Sequence, residues 1–280
     1  MSIAWTLPHL RIMGAPSLVL DNDDLAREYE RNSAGRQLES GRHLLEQMGL
    51  VRGDSVLDIG CGTGLLAEHI ADVVGPTGFV LGLDPLKLRI DLAPKRARAN
   101  LAFEVGDAYA LDALATQALD AVVLNAVFHW LPQKSGPMRS FARILKTGGR
   151  LGLSTTLKGH RTIVQEEVGL ALAVPPFDRY PRPSATLSHR VSVEEMHTLL
   201  EDAGFEATRV EVLQSEQRFA TPEEAIRFGE ASSFGNLLGH MPVELRPAAR
   251  ERIASRLAAV MGPEGFVQPR QRLVVVGQKR

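Results

Sequence analysis

The chain has 280 residues, 44% hydrophobic and 23% charged, which is enough for a sizeable core and ordinary for a soluble globular protein. A formal net charge of −1 gives no electrostatic attraction toward nucleic acid or an anionic membrane surface. The single cysteine, Cys61, excludes an internal disulfide and any cysteine-built metal site.

The first residues, MSIAWTLPHL, lack the sustained apolar stretch of a signal peptide, and Pro8 and His9 interrupt them. No run approaches the ~18 apolar residues of a membrane span. A reduced, cytoplasmic protein is expected, without internal repeats or low-complexity tracts.

In RQLESGRHLLEQMG, residues 36–49, Leu38, Leu44, Leu45 and Met48 fall near one helical face, and Gly49 is a stop. VRGD is a turn and SVLDI a short buried strand. Residues 65–74 carry Leu66, Ile70, Val73 and Val74 at helical spacing before GPTG breaks the chain. FVLGLD is a second strand. In PLKLRIDLAPKRARAN, Leu86, Leu88, Ile90 and Leu92 alternate like a strand, but the segment joins two strands. A crossover helix opened by Pro85, and shortened or kinked at Pro94, fits that connection better. LAFEV is the third strand, and DAVVLNAVF begins with the fourth. Residues 135–146 place Met138, Phe141 and Leu145 on a helix that ends at Gly148–Gly149, and RLGLST is the fifth strand. Short apolar strands alternating with helices predict a parallel sheet covered on both faces and doubly wound by right-handed crossovers.

After residue 155 the pattern loosens. VPPFDRYPRPSATLSHR reads as a loop. SVEEMHTLLEDAGF is a helix with a capping box from Ser192 to Glu195. ATRVEV is a strand, residues 221–262 are helical with Thr221-Pro222 opening one helix, and RLVVVGQ is a last strand. The long connection between the last two strands, with residues 156–190, is expected to form a cap.

The stretch VLDIGCGTG carries the first chemical signal. In an open parallel sheet the turn after the first strand lies where ligands bind. A triphosphate-binding loop needs G-x-x-x-x-G-K-[ST], which the chain lacks. A dinucleotide turn needs G-x-G-x-x-G, whereas Gly60, Gly62 and Gly64 form G-x-G-x-G and Leu65 stands at the third glycine position. Three carboxylates accompany the turn. Asp58 lies at the strand-to-turn transition, where it can organise amides and attract a cation. Asp84 ends the second strand, 20 residues beyond Gly64, where a carboxylate can accept ribose hydroxyls. Asp107 follows the third strand and can accept from an adenine amino group. No arginine is placed to meet a pyrophosphate. A nucleoside with net positive charge or none therefore fits, and S-adenosylmethionine is such a molecule.

VLDIGCGTG, GLDP, VGDAYAL, LDAVVLNAVFHW and ILKTGGRLGLS resemble, in order and spacing, the successive motifs of class I S-adenosylmethionine-dependent methyltransferases over roughly residues 36–155. The resemblance implies a Rossmann-like α/β fold, a doubly wound, mostly parallel seven-stranded sheet whose last strand is antiparallel, with a helical cap. It implies that Gly60, Cys61, Gly62 and Gly64 let backbone approach the cofactor, that Asp84 with Pro85 holds the ribose, and that Asp107 with Ala108 holds the adenine. Asn125 would contact the methionine part. Residues 1–35 are expected to form a lid segment, with Tyr29 over the cofactor and Arg36 or Arg42 near its carboxylate. Residues 36–280 would form the methyltransferase domain, with cap insertions at about 156–190 and 214–262.

NAVFHWLP resembles the NAxFQW stretch of trans-aconitate methyltransferases, with His129 where the glutamine stands, and the chain also resembles the ubiquinone/menaquinone type. His129 is the candidate general base, its alternative role being to cover the cofactor. Trp130 reads as a pocket wall, Cys61 also as a packing residue, and Asp120 as a turn residue. Cap residues Phe177, Tyr180, His160, His189 and Phe234 are weaker candidates, and Arg179 and Arg182 in FDRYPRP suit an anionic or planar acceptor. The chain lacks the Asn-Pro-Pro-Tyr signature of enzymes acting on base amines, and one cysteine excludes arsenic methylation of the multi-cysteine kind. The expected activity is methyl transfer to a small molecule, acceptor atom open among O, S, N and C, a small thiol included. The product would be S-adenosylhomocysteine. No metal, nucleic acid or membrane is expected, and a homodimer stays open. The alternatives are a non-catalytic S-adenosylmethionine-binding regulatory or partner subunit and an NAD-dependent oxidoreductase.

Overall fold

In the computed structural model, residues 22–32, 34–159, 161–183, 188–233 and 237–280 are described. The apolar runs pair into one seven-stranded sheet. Its strands are β1 (Ser55–Ile59), β2 (Phe79–Asp84), β3 (Leu101–Val105), β4 (Leu119–Asn125), β5 (Leu145–Thr156), β6 (Phe205–Phe219) and β7 (Phe266–Lys279). The spatial order is β3-β2-β1-β4-β5-β7-β6. The first five strands pair in parallel, and β7 runs antiparallel to both β5 and β6. The antiparallel last strand expected from the resemblance is present.

Alternation along the strands sorts side chains between two apolar layers. Leu57, Ile59, Leu81 and Leu83 join one core with Met138 and Phe141 of α5 (Ser135–Ile144) and Met196 and Leu200 of α7 (Val193–Asp202). Val56 and Val80 point the other way, onto Leu44, Leu45 and Met48 of α2 (Ala34–Met48) and Ile70 of α3 (Leu65–Val74). Both faces are thus buried, as a parallel sheet requires. The capping box of α7 forms as expected: Ser192 accepts from the Glu195 amide, and the Glu195 carboxylate accepts from the Ser192 amide.

The predicted elements differ from the observed ones in three places. The crossover after β2 is a single turn, α4 (Lys87–Ile90), followed by a 3-10 turn at Ala93–Arg96, because Pro94 interrupts the helix. The helix expected to include Leu145 ends at Ile144. Leu145 pairs with Leu119, Arg150 with Ala121, and the residues between them bulge around Gly148 at φ 77°. Finally, β6 and β7 are longer than their apolar segments. They continue as a paired ribbon from Leu213↔Arg272 to Phe219↔Phe266. That part is rich in polar residues, so apolar patterning does not mark it.

The ribbon carries a third, separate core. Phe219 and Phe266 at its tip pack with Ile226 of α8 (Pro222–Ser232), Ile253 and Leu257 of α9 (Arg246–Ala259), and Val168 of α6 (Ile163–Leu172). Phe177 and Tyr180 also belong to this packing. Helix α1 (Asp23–Asn32) packs against α8 and is strapped to the glycine turn. Glu30 accepts from the Thr63 hydroxyl, from Lys95 at 3.0 Å and from Arg96 at 2.7 Å. Among the described residues, no helix is long and apolar enough to cross a membrane.

Candidate active site

The glycine turn leaves β1 by bending back onto β2. The amides of Gly60 and Cys61 both donate to the Leu83 carbonyl, at 2.6 and 3.0 Å. Gly60 has φ 71°, and a Cβ there would collide with Val127. Glycine is therefore required twice over, by backbone conformation and by space. Asp84 closes the turn. One carboxylate oxygen accepts from the Gly62 amide and the other from the Leu86 amide, each at 2.9 Å. Burial pushes its pKa up, while Arg89 and these two amides oppose that rise.

A small cavity of about 20 Å³ lies behind the turn, lined by Tyr29, Gln37, Asp58, Cys61, Thr63 and Asn125 among others. Two buried acceptors face no donor here: Gln37 Oε1 and Asp58 Oδ2 lack a hydrogen-bond partner among the described residues. Burial, then the neighbouring Asp84 carboxylate, pushes the Asp58 pKa up to about 7. Unpaired acceptors and a destabilised carboxylate are what a cationic group would relieve. The same burial, with Asp84 and Asp58, holds the Cys61 thiol well above its ordinary range, which fits a packing residue and not a nucleophile.

A larger cavity of about 330 Å³ runs from this turn along the C-terminal strand ends. Its near end is lined by Tyr29, Asp84, Pro85, Asp107 and Ala108. Asp107 accepts from the Tyr109 amide at 2.8 Å and is 7% exposed. The guanidinium of Arg89 lies 4.0 Å from the centroid of the Tyr29 ring, and burial raises the Tyr29 pKa to about 12. At mid-cavity, Asn125 donates to the Gln37 carbonyl at 2.7 Å and accepts from Arg272 at 3.3 Å. Ala126 follows at φ 60°, a left-handed conformation at the exit of β4 that turns the chain toward His129.

His129 lines the far end and is 9% exposed. Its Nδ1 sits 3.1 Å from the Thr155 hydroxyl on β5. Its ring pKa is held well below the ordinary value, first by burial and then by Arg190, Arg272, Arg270 and Lys134. The His129 carbonyl accepts from the His189 amide at 2.7 Å, and Lys134 donates to the His189 carbonyl at 2.6 Å. These bonds dock the loop carrying Arg190 onto the cavity.

The structure thus gathers Tyr29, Gly60, Asp84, Pro85, Asp107, Ala108, Asn125 and His129 around one space, with Asp58 and Cys61 on the adjoining cavity. Gly62 lies under the Tyr29 ring and Gly64 caps α3 against Phe103; neither lines these two cavities. Trp130 lines the larger one. Arg42 is exposed, and the Arg36 side chain lies outside the described residues. Of the cap candidates, Phe177 is in the third core, His189 serves through its backbone, and His160 and Phe234 lie outside the described residues. Arg182 lines the cavity whereas Arg179 is exposed. The Asp120 carboxylate accepts from the Ser55 amide at 2.9 Å and pairs with Lys146, a structural tie.

Sequence reasoning passed over Gln37, Gln217, Arg190, Arg270 and Arg272. A signal was available for part of the group. Gln268, Arg270 and Arg272 stand at alternate positions of one strand and so share a face.

Comparison with known proteins completes the class. A methyltransferase-domain family matches residues 50–204, more than half of the chain, and the chain belongs to that family. It is a class I S-adenosylmethionine-dependent methyltransferase of the small-molecule kind, and S-adenosylmethionine is its cofactor. It is 29% identical over 187 residues to a demethylmenaquinone methyltransferase of Lactobacillus johnsonii, covering 62% of this chain and 76% of that protein. It is 31% identical over 180 residues to the ubiquinone/menaquinone biosynthesis C-methyltransferase UbiE of Ectopseudomonas mendocina, covering 59% and 70%. The fold is similar to the crystal structure of the YcgJ protein from Bacillus subtilis, with TM-score 0.61 and 18% identity over 86% of this chain and 98% of that one. Sheet order also argues against the dinucleotide reading: insertion of β7 between β5 and β6 departs from the 3-2-1-4-5-6 order of dinucleotide folds.

Proposed function

We propose that the chain methylates a small-molecule acceptor bound beside His129, with the cofactor lying between Asp107 and the small cavity behind the glycine turn. The observation that carries this reading is the single continuous cavity joining Asp84 and Asp107 to His129. The residues present suit the cofactor. Asp84 offers lone pairs to ribose hydroxyls, and Asp107 with Ala108 frames the adenine. Gln37 Oε1 and Asp58 Oδ2, orphaned and buried, suit its ammonium group. Asn125 sits beside them at the methionine end.

When bound, S-adenosylmethionine supplies a methyl group on a sulfonium. The protein's own contribution is position, dryness and proton removal. In the tautomer whose Nδ1 donates to the Thr155 hydroxyl, the lone pair of His129 lies on Nε2, where it can accept a proton from the acceptor. Burial first, and then the surrounding cations, keep that ring neutral, the form a base needs. The α1 segment within residues 1–35 acts as a lid, and the insertions at about 156–190 and 214–262 act as a cap that excludes water.

Isothermal calorimetry tests the site. Wild type should bind S-adenosylhomocysteine in preference to NAD, and Asp84→Ala should weaken that binding about ten- to a hundredfold, as loss of charge-assisted hydrogen bonds predicts. Unchanged affinity in the variant would remove Asp84 from the proposed role.

A further inference from the structure

The two ends of the large cavity differ in charge. Among the described residues that line it, the carboxylates are Asp84 and Asp107, both at the cofactor end. The other end gathers Arg182, Arg190, Arg270 and Arg272. Arg182 and Arg190 flank residues 184–187 before α7, and the other two come from alternate positions of β7. Burial lowers the pKa of Arg182, of Arg190 and, to about 10, of Arg272, where Arg270 adds its repulsion. Arg182 donates to the Leu237 carbonyl at 3.3 Å, Arg190 to the Ser188 hydroxyl at 3.2 Å and Arg272 to Asn125 at 3.3 Å, so these guanidinium groups are held in place, and an anion among them would add charge-assisted bonds.

A neutral donor joins them. Gln217 is 6% exposed and lines the same cavity, and its Nε2 has no hydrogen-bond partner among the described residues. Its Oε1 is already taken by Gln268 Nε2 at 3.0 Å, and Gln268 is itself held by the Val164 amide at 3.3 Å. The amide is therefore oriented, with donor hydrogens left over. Apolar walls complete the space: Val164, Val168, Phe219, Phe228 and Leu237 line it too.

Building on the methyl-transfer reading above, we infer that this end recognises the anionic head group, carboxylate or phosphate, of an acceptor whose remaining body is apolar. Guanidinium forks match both oxyanions in bidentate geometry, and the Gln217 amide supplies a further donor. The apolar walls receive the rest of the molecule. His129 lines the same cavity as these arginines. The rival occupant is the cofactor's own carboxylate, because Arg272 touches Asn125.

Three probes that share one tail and differ in head group decide the matter: hexanoate, hexyl phosphate and hexanol. Each is titrated by calorimetry into the full chain, with and without saturating S-adenosylhomocysteine. At least one anion should bind at least about tenfold more tightly than hexanol, and which one does so separates a carboxylate site from a phosphate site. Arg182→Gln and Arg270→Gln should each weaken that anion about tenfold, the loss expected for one charge-assisted contact, and leave S-adenosylhomocysteine affinity within about twofold. Arg182→Lys should recover part of the loss. Equal binding of hexanol, or no binding by either anion, overturns the inference. A parallel fall in S-adenosylhomocysteine affinity also overturns it and assigns the arginines to the cofactor. If wild type binds the anions but not S-adenosylhomocysteine, the cofactor reading fails while the anion site stands.

Discussion

Asp58→Asn is the sharpest single test of how the site is organised. In the folded chain without cofactor, burial and then Asp84 move the carboxyl from its ordinary 3.8 up to about 7. The fold therefore favours the protonated form. Its contribution to stability is complete below the unfolded value, declines as pH rises, and is lost once pH passes about 7. The full separation corresponds to about 4 kcal/mol, of which about 3 kcal/mol falls between about pH 5 and about pH 8. Urea unfolding of wild type and Asp58→Asn at these two pH values measures it. Asparagine keeps the shape and cannot ionise, so the variant should gain about 3 kcal/mol relative to wild type on going to the higher pH. Saturating S-adenosylhomocysteine should shrink that gain, because its ammonium group would pair with the ionised carboxylate, and the variant should bind it more weakly. A stability difference that stays constant across pH would refute the perturbed carboxyl, and unchanged S-adenosylhomocysteine affinity in the variant would refute the cationic occupant assigned to it.

Other expectations are more local. In proton NMR, the His129 ring should titrate below its ordinary 6.5, and Arg190→Gln should raise the midpoint by removing one repelling cation; no movement would detach the ring from that cluster. Gly60→Ala should destabilise the chain by about 1–3 kcal/mol in urea, since a Cβ meets Val127 and the backbone is left-handed; a neutral effect would contradict the turn geometry. In the folded chain, Cys61 should react with iodoacetamide far more slowly at about pH 8 than it does in urea, because burial keeps the thiol protonated; similar rates would place it in an open site.

What could be read directly from the sequence was the part encoded over short distances. The strand-turn-helix around VLDIGCGTG needs only an apolar run, three glycines and a helical repeat. Asp84 and Asp107 were found because each ends or follows a recognisable strand, and strand ends on one side of a parallel sheet converge. The arginine-rich end was not legible as a cluster. Arg190 reaches the cavity because the His189 amide docks on the His129 carbonyl, a contact that no local pattern announces. Gln217 meets Gln268 only through the register of β6 on β7, in a ribbon where polar residues hide the strand. Leu145 illustrates a boundary error of a different kind. Its helical spacing from Met138 and Phe141 is real, but pairing with Leu119 buries it as a strand residue.

The ribbon has a consequence for how such a protein could diversify. The cofactor floor rests on the first two cores, whereas α6, α8 and α9 pack with the ribbon tip in a third. A segment grafted between Phe219 and Phe266 would replace one wall of the large cavity, and it would have to restore what α8 gives the glycine-turn end: the Ala231 carbonyl that accepts from Arg89 at 3.3 Å, and Arg227, which lies 3.8 Å from Glu28 of α1. Through α8 the ribbon-tip core is mechanically tied to the turn at the front of the sheet, so remodelling one is felt by the other.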